Sequence, residues 1–268
     1  HGFGVGPIDG HEGRRTRQAL ADFCRASGCA EPEARRALLA EPSPLATWTL
    51  KPDDLARIGT APEDWLEAAQ VPAMAYTNLE ELLGEQFHVA PVYLRALNPA
   101  ITNWALVTTG ATITVPNVIM RRAPPAARLE IHCGDLRLRA YATNGALVAS
   151  FPCSIAMEFA RVPTGELRIV AFAPNPNYTF DPVNFPESPR AQAIGRKLMI
   201  PPGPNNPVGV YWLSLSAPGF GIHGTHRPET IGRRESHGCF RLTNWDIVTL
   251  AGMTAVGTPV RVISAEGP

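Results

Sequence analysis

At Arg128 the hydrophobic period of this 268-residue chain changes. Upstream, apolar residues recur at helical spacing, as in Ala19, Leu20 and Phe23 and again in Leu79, Leu82, Leu83 and Phe87. Downstream they alternate: Leu129, Ile131 and Cys133, then Leu136, Leu138 and Ala140, then Leu147, Ala149 and Phe151. A period of two sends every second side chain to one face of a strand, whereas a period near 3.6 builds one stripe of a helix, so neither pattern suits the other element. Between them Met120-Arg121-Arg122-Ala123-Pro124-Pro125-Ala126 has the composition of a linker, because adjacent prolines keep a chain extended. The chain therefore reads as a multidomain α+β protein. We expect a helical region over 1–70, a compact unit over 75–120, a linker over 121–127 and a mostly β domain over 128–265.

The N-terminal glycines, Gly2 to Gly13, lead into a helix from Thr16, a good N-cap residue. They are not a dinucleotide fingerprint, since no strand precedes them. Glu31 to Leu39 and Pro62 to Gln70 read as further helices, broken by Glu41-Pro42-Ser43-Pro44. The next unit reads helix, helix, strand: a helix over Leu79 to Phe87, a second over Val92 to Leu97, and a strand over Ala111 to Pro116.

Beyond the linker, Gly134-Asp135 and Asn144-Gly145 are hairpin signals. Leu167 to Phe172, Val208 to Leu215 and Gly219 to His223 are strands, and a helix begins near Thr243. The proline-rich stretch from Pro174 to Pro189 is a long excursion near the site. Gly221-Ile222-His223-Gly224-Thr225 and Ser236-His237-Gly238-Cys239-Phe240-Arg241 then bring a cysteine, two histidines and several glycines close together. A thiol acts as a nucleophile only as the thiolate, and an adjacent imidazole is the usual means of deprotonating it. Glycines next to the reactive residues admit the close backbone approach that a main-chain oxyanion site requires. On this reading Cys239 is the nucleophile and His223 the base. A zinc site drawn from His223, His226, His237 and Cys239 is a second reading, although the spacings match no common four-ligand pattern. A third leaves Cys239 as a buried core residue.

Formal net charge is zero, so nothing points to nucleic acid or an anionic membrane as partner. No apolar run approaches the ~18 residues that a spanning helix needs. The five cysteines are an odd number. We expect Cys133 to pair with Cys153 and Cys24 with Cys29, leaving Cys239 free, in an oxidising compartment such as a periplasm after removal of an export signal. The alternative is five reduced thiols, four of them packing groups.

Three resemblances sharpen this. Gly6, Ile8, Asp9, Gly10, Gly13, Thr16, Arg17, Ala19, Leu20 and Phe23 resemble the small helical peptidoglycan-binding domain of the first type, without its first helix. Leu97-Asn98-Pro99, Gly110, Ile113 and Val115-Pro116-Asn117 resemble a LysM module (βααβ), with its opening strand reduced to Ala75-Tyr76. Such a unit is either a glycan-binding module or a spacer packed on the C-terminal domain. His223-Gly224-Thr225 with Ser236 to Leu242 resembles the signature of YkuD-type L,D-transpeptidases, supported by Pro163-Thr164-Gly165, Asn206-Pro207-Val208-Gly209 and Gly257-Thr258-Pro259-Val260. That resemblance implies a mostly β, sandwich- or barrel-like catalytic domain, with peptidoglycan, its glycan and its peptide stems as partner and no cofactor or metal. Cys239 would attack a diaminopimelate carbonyl of a tetrapeptide stem and release D-alanine, forming 3-3 cross-links, with hydrolysis, D-amino-acid exchange or a silent wall-binding protein as alternatives. His223 would be the base, oriented by the Gly224 carbonyl. The N–H groups of His237, Gly238 and Cys239 would face the oxyanion, and Ser236, Arg241 and Thr225 would contact substrate.

Overall fold

The computed structural model describes residues 1–118, 123–158, 162–163, 165–236 and 238–264, with the side chains of residues 235 and 236 outside that description. His237, Thr164, Met120, Arg121 and Arg122, all singled out above, therefore lie outside the described residues, as does the Ser236 side chain.

Helix α1 (Arg14–Ser27) ends at Gly28, whose left-handed φ of 69° returns its N–H to the Cys24 carbonyl. Helix α2 (Glu31–Leu39) follows, and then strand β1 (Leu45–Thr49), which the sequence reading did not anticipate. Short helices α3 (Pro52–Ala56) and α4 (Trp65–Ala68) lead to α5 (Leu79–Gln86), α6 (Pro91–Leu97) and β2 (Thr112–Pro116). Asn78 caps α5 by accepting the Glu81 N–H at 2.8 Å. The two helices and the strand lie where the pattern puts them, but the strand that closes the unit is β1 and not Ala75-Tyr76. β1 pairs antiparallel with β2 from Leu45↔Pro116 to Thr49↔Thr112. The reason is burial: Ile113 and Val115 face a core of Leu50, Leu79, Leu82, Leu83, Val89 and Leu94, and the edge of β2 needs backbone partners. Tyr76 instead bridges to Ile58. Asn98 ties α6 to β2, donating to the Leu94 and Thr114 carbonyls and accepting the Thr114 N–H.

The C-terminal domain contains β3 (Arg128–His132), β4 (Arg137–Tyr141), β5 (Leu147–Pro152), β6 (Ile155–Ala156), β7 (Gly165–Pro174), β8 (Tyr178–Phe180), α7 (Pro189–Ile194), β9 (Leu198–Ile200), β10 (Tyr211–Leu215), β11 (Gly221–His223), β12 (Arg234–Ser236), β13 (Phe240–Arg241), α8 (Asn244–Met253) and β14 (Pro259–Ile263). Eight of these strands form one sheet, in the order β13-β11-β10-β7-β14-β3-β4-β5. The ten-residue β7 turns it: Gly165 to Arg168 pair with β14, and Ile169 to Pro174 pair with β10. The result is one curled sheet around α8, not two stacked sheets. Thr243 caps α8 through the Asp246 N–H, and Ile247, Leu250 and Met253 enter the same core as Leu129, Ile131, Leu138, Ala149, Phe151, Ile222 and Phe240. The excursion after β7 folds back as the β8-β9 hairpin and α7, and packs on α4 of the N-terminal part, where Trp65 stacks on Phe180 at 4.5 Å between centroids.

Strict alternation would place Arg137 and Arg139 in solvent. They are buried, because α1 lies over β5 and brings Asp22 to them. Asp22 accepts from Arg137 Nε at 3.1 Å, Arg139 Nε at 3.0 Å and Ser150 Oγ at 2.6 Å. The segment before α1 adds to this seam, where Gly4 donates to the Ser150 carbonyl, and ties to the N-terminal unit through Ile8, which donates to the His88 carbonyl. The N-terminal region is thus docked on the C-terminal sheet.

The expected disulfides do not form; none of the five cysteines is disulfide-bonded. Cys133 and Cys153 follow β3 and β5, which β4 separates, and two strand spacings of about 4.8 Å exceed the reach of a disulfide. Both are buried and act as core residues. Cys24 lies in the last turns of α1, while Cys29, beyond the Gly28 cap, has its sulfur 3.0 Å from the Ser27 hydroxyl. With the pairs gone, the cysteine count no longer argues for an oxidising compartment.

Candidate active site

The site is built on the short parallel pair β11-β13, in the register Ile222↔Phe240 and His223↔Arg241. Cys239 immediately precedes β13, so its position is across from Gly221, two residues along from His223. With period-two side chains, Cys239, Gly221, His223 and Arg241 share one face. A strand spacing near 4.8 Å and a rise near 3.3 Å per residue put the Cys239 and His223 Cα atoms roughly 8 Å apart, a diagonal that a thiol and an imidazole can close. Gly221 has no side chain on that face, and the Trp212 indole takes the space. On its other side β10 carries Trp212, opposite His223, with the two rings stacked at 5.2 Å and 13°. A Cβ at Gly221 would run into this indole, so only glycine lets Trp212 lie there.

His223 is buried, and its Nδ1 is 2.7 Å from the Gly224 carbonyl oxygen. A carbonyl only accepts, so Nδ1 carries the proton and Nε2 keeps its lone pair. Burial, with the charge of Arg241 behind it, lowers the imidazole pKa to about 3, against the carbonyls of Gly224 and Val208, which favour the protonated ring. Burial also raises the Cys239 thiol above its ordinary value, opposed by the Gly221 backbone and by Arg241. Its Sγ is 3.7 Å from the Gly219 carbonyl. Both directions favour the uncharged forms, a thiol and a neutral imidazole.

The other named residues separate. Gly238 is buried directly before Cys239. Arg241 is held by exchanging backbone hydrogen bonds with Ser154 at 2.9 Å, and its charge acts on both reactive groups. Thr225, expected to touch substrate, is buried instead, with its Oγ1 accepting the Arg227 N–H at 3.1 Å as part of the loop's own turn. Among the described residues no group of three or more histidine, cysteine or acidic side chains gathers as a metal site would require.

Sequence reasoning missed three residues. Trp212 reads in sequence as an ordinary strand aromatic. Tyr178, on β8, lies within electrostatic reach of Arg241 and Cys239, and burial first, then the Cys239 charge, push its phenol up to about 12 against Arg241. Its stretch was recognised as an excursion near the site, without a signal for the residue itself. Asn244 opens α8, yet its side chain is turned into the site's backbone: its Oδ1 accepts the Val210 N–H at 3.1 Å and fills the space where a Cβ on Gly209 or Gly224 would stand.

The YkuD L,D-transpeptidase catalytic domain matches residues 127–262, the span of the curled sheet and α8, and the chain belongs to this family. A Bacillus licheniformis relative, YkuD, is 29% identical over 182 residues, 68% of this chain and 92% of its own length. Escherichia coli YcfS is 27% identical over 229 residues, 84% of this chain and 69% of its own, so that likeness extends into the N-terminal part. Both carry L,D-transpeptidase in their names. The solved catalytic domain of the Enterococcus faecium L,D-transpeptidase is 22% identical and covers 51% of this chain and 95% of that one, at a TM-score of 0.36. Among the described residues no helix is long and apolar enough to cross a membrane.

Proposed function

We propose that the chain is a cysteine-dependent L,D-transpeptidase that cross-links peptidoglycan through diaminopimelate residues. The observation that carries the proposal is the buried His223 ring, held through Nδ1 by the Gly224 carbonyl, on the sheet face it shares with Cys239. Nε2 takes the Cys239 proton as the sulfur attacks the diaminopimelate carbonyl of a tetrapeptide stem. The C–N bond to the terminal D-alanine then breaks, and the imidazolium returns the proton to the leaving amine. The thioester that remains is opened by the side-chain amine of a second stem, and that amine's proton restores the thiol by way of His223. Backbone N–H groups of Gly238 and Cys239, with that of His237, are the oxyanion donors in this scheme, and one good donor is worth about 3 kcal/mol.

Arg241 suits a stem carboxylate, and Ser236 the pocket wall. Water in place of the amine turns the same site into a carboxypeptidase, and a free D-amino acid gives exchange. The substrate, not the cysteine count, supports a cell-envelope or periplasmic location. The unit closed by β1 and β2 and the segment before it retain the reading of LysM-like and peptidoglycan-binding-like parts that hold glycan. Purified disaccharide-tetrapeptide incubated with the protein should lose D-alanine and yield cross-linked dimers by mass spectrometry. Turnover that survives in Cys239→Ala would refute the scheme.

A further inference from the structure

One buried chain of hydrogen bonds crosses from the N-terminal unit to the backbone that holds His223. On α5, Glu85 accepts from Asn244 Nδ2 at 2.9 Å and from the Tyr76 hydroxyl at 3.1 Å. Asn244, only 1% exposed, also donates to the Pro204 carbonyl at 3.1 Å, while its Oδ1 takes the Val210 N–H. Every polar atom of that amide is therefore used, and it joins three segments: Pro204, the Gly209-Val210 step and Gly224. Gly209 and Gly224 lie against each other and against Asn244 Oδ1, where no other residue type fits. The hydrogen bonds from Asn244 end at Val210; Gly224 is reached by its packing against Asn244 Oδ1 and by its N–H, which donates to the Tyr211 carbonyl at 3.1 Å, and its carbonyl is the one that accepts His223 Nδ1–H.

The surrounding interface is continuous. Asn205 Nδ2 donates to the Ala75 carbonyl at 2.7 Å and to Glu81. Met74 donates its N–H to the Pro202 carbonyl at 2.8 Å, and its own carbonyl accepts from Asn205 at 3.1 Å. Next to Asn244, Trp245 stacks on His88 at 4.7 Å and 12°. Around the Glu85 carboxyl stand Tyr76, Arg57, which donates to the Tyr76 hydroxyl at 3.3 Å, and Glu81. Burial pushes that carboxyl up to about 7 in spite of the hydrogen bonds from Asn244 and Tyr76. A tethered wall-binding module has no need of a carboxyl this deep in its contact with the catalytic domain.

We infer that Glu85 and Asn244 are positioning residues for His223, a strut by which the N-terminal unit fixes the Gly224 carbonyl and so the tautomer and orientation of the imidazole. The inference rests on His223 being the base of the proposed reaction. It makes α5 part of the catalytic centre, whatever the N-terminal unit binds.

The test uses the full chain. Release of D-alanine by the unaltered protein is measured first, since its absence would count against the proposed reaction and not against the strut. Glu85→Ala should then lower kcat by about 10²-fold, the loss that a displacement of about 1 Å imposes on an aligned group, with KM within about twofold. Glu85→Gln keeps an acceptor for Asn244 Nδ2 and should restore most of kcat. Independently of turnover, ¹⁵N-histidine NMR should show a slowly exchanging His223 Nδ1–H in the unaltered protein and in Glu85→Gln, and lose it in Glu85→Ala.

Should Glu85→Ala not fold, Asn244→Asp serves the same purpose. It keeps an acceptor for Val210 but loses the donors to Glu85 and to the Pro204 carbonyl, so kcat should fall, and adding Glu85→Gln, which reverses donor and acceptor on the Glu85 side alone, should recover part of it. Unchanged kcat in Glu85→Ala, an unchanged Nδ1–H resonance there, or no rescue by Glu85→Gln in either background would overturn the strut.

Discussion

Replacing Asp22 by alanine removes the carboxylate that two buried arginines share between α1 and the sheet. In the folded protein Asp22 is 1% exposed, and the Arg137 and Arg139 side chains are 0% and 7% exposed. After the change, Arg137 keeps neutral partners, the Ser150 hydroxyl and the Gly4 carbonyl, while Arg139 keeps Asp135, itself half exposed. Arg137 then stays buried without its carboxylate partner and Arg139 is left with the half-exposed Asp135, and breaking a buried pair in this way costs about 3–5 kcal/mol. Asp22→Asn keeps one acceptor and should lose less than Asp22→Ala. Urea unfolding at neutral pH reads both values from the midpoint at constant slope. The pH dependence has a definite sign. Burial works to raise the Asp22 pKa, but the Ser150 hydroxyl, Arg139 and Arg137 outweigh it and hold the carboxyl below its ordinary range. The stabilisation is therefore present above the unfolded value of about 3.9 and is lost as pH falls through the lower folded value. A loss under about 1 kcal/mol for Asp22→Ala at neutral pH would refute the reasoning, since surface pairs already account for that much.

Asp246 carries the opposite sign. Burial pushes its carboxyl up to about 7, against the Thr243 hydroxyl and the Arg137 charge, and its Oδ2 has no hydrogen-bond partner. Stability should therefore fall as pH rises from about 4 to about 7 and then level off, by a few kcal/mol at most. In Asp246→Asn that slope should shrink, so thermal unfolding of both proteins across this range checks it, and parallel curves would count against it. The neutral Cys239–His223 pair makes a kinetic prediction: the rate of iodoacetamide alkylation of Cys239 should climb with pH to beyond the ordinary thiol range, with no plateau near neutrality. A plateau from acid to neutral pH would mean a thiolate–imidazolium pair instead.

The parts of the fold that were legible in the sequence are those where one local pattern decides. Glu31 to Leu39 is a helix because a proline in its first turn and an uninterrupted run of helix formers agree. The alternation after Arg128 marks β3, β4 and β5, since their inner faces fill a single core. Where tertiary contacts overrode the pattern, the reading went astray. Leu45 to Thr49 is strand only because β2, more than sixty residues later, needs a partner. Arg137 and Arg139 are buried only because α1 delivers Asp22. At the site, the density of reactive types drew attention to His223 and Cys239. Trp212, Tyr178 and Asn244 carried no such signal: their place depends on a stacking partner, a folded-back hairpin and a pair of facing glycines.

The central claim is that Cys239 carries the acyl group between the two half-reactions. Intact-mass spectrometry of the protein quenched during turnover of disaccharide-tetrapeptide tests it directly. The account predicts a covalent adduct with the mass of the substrate less D-alanine, mapped by peptide digestion to Cys239, cleared by added acceptor amine and absent in Cys239→Ala. D-alanine release with an adduct on any other residue, or with the same adduct in Cys239→Ala, would contradict it.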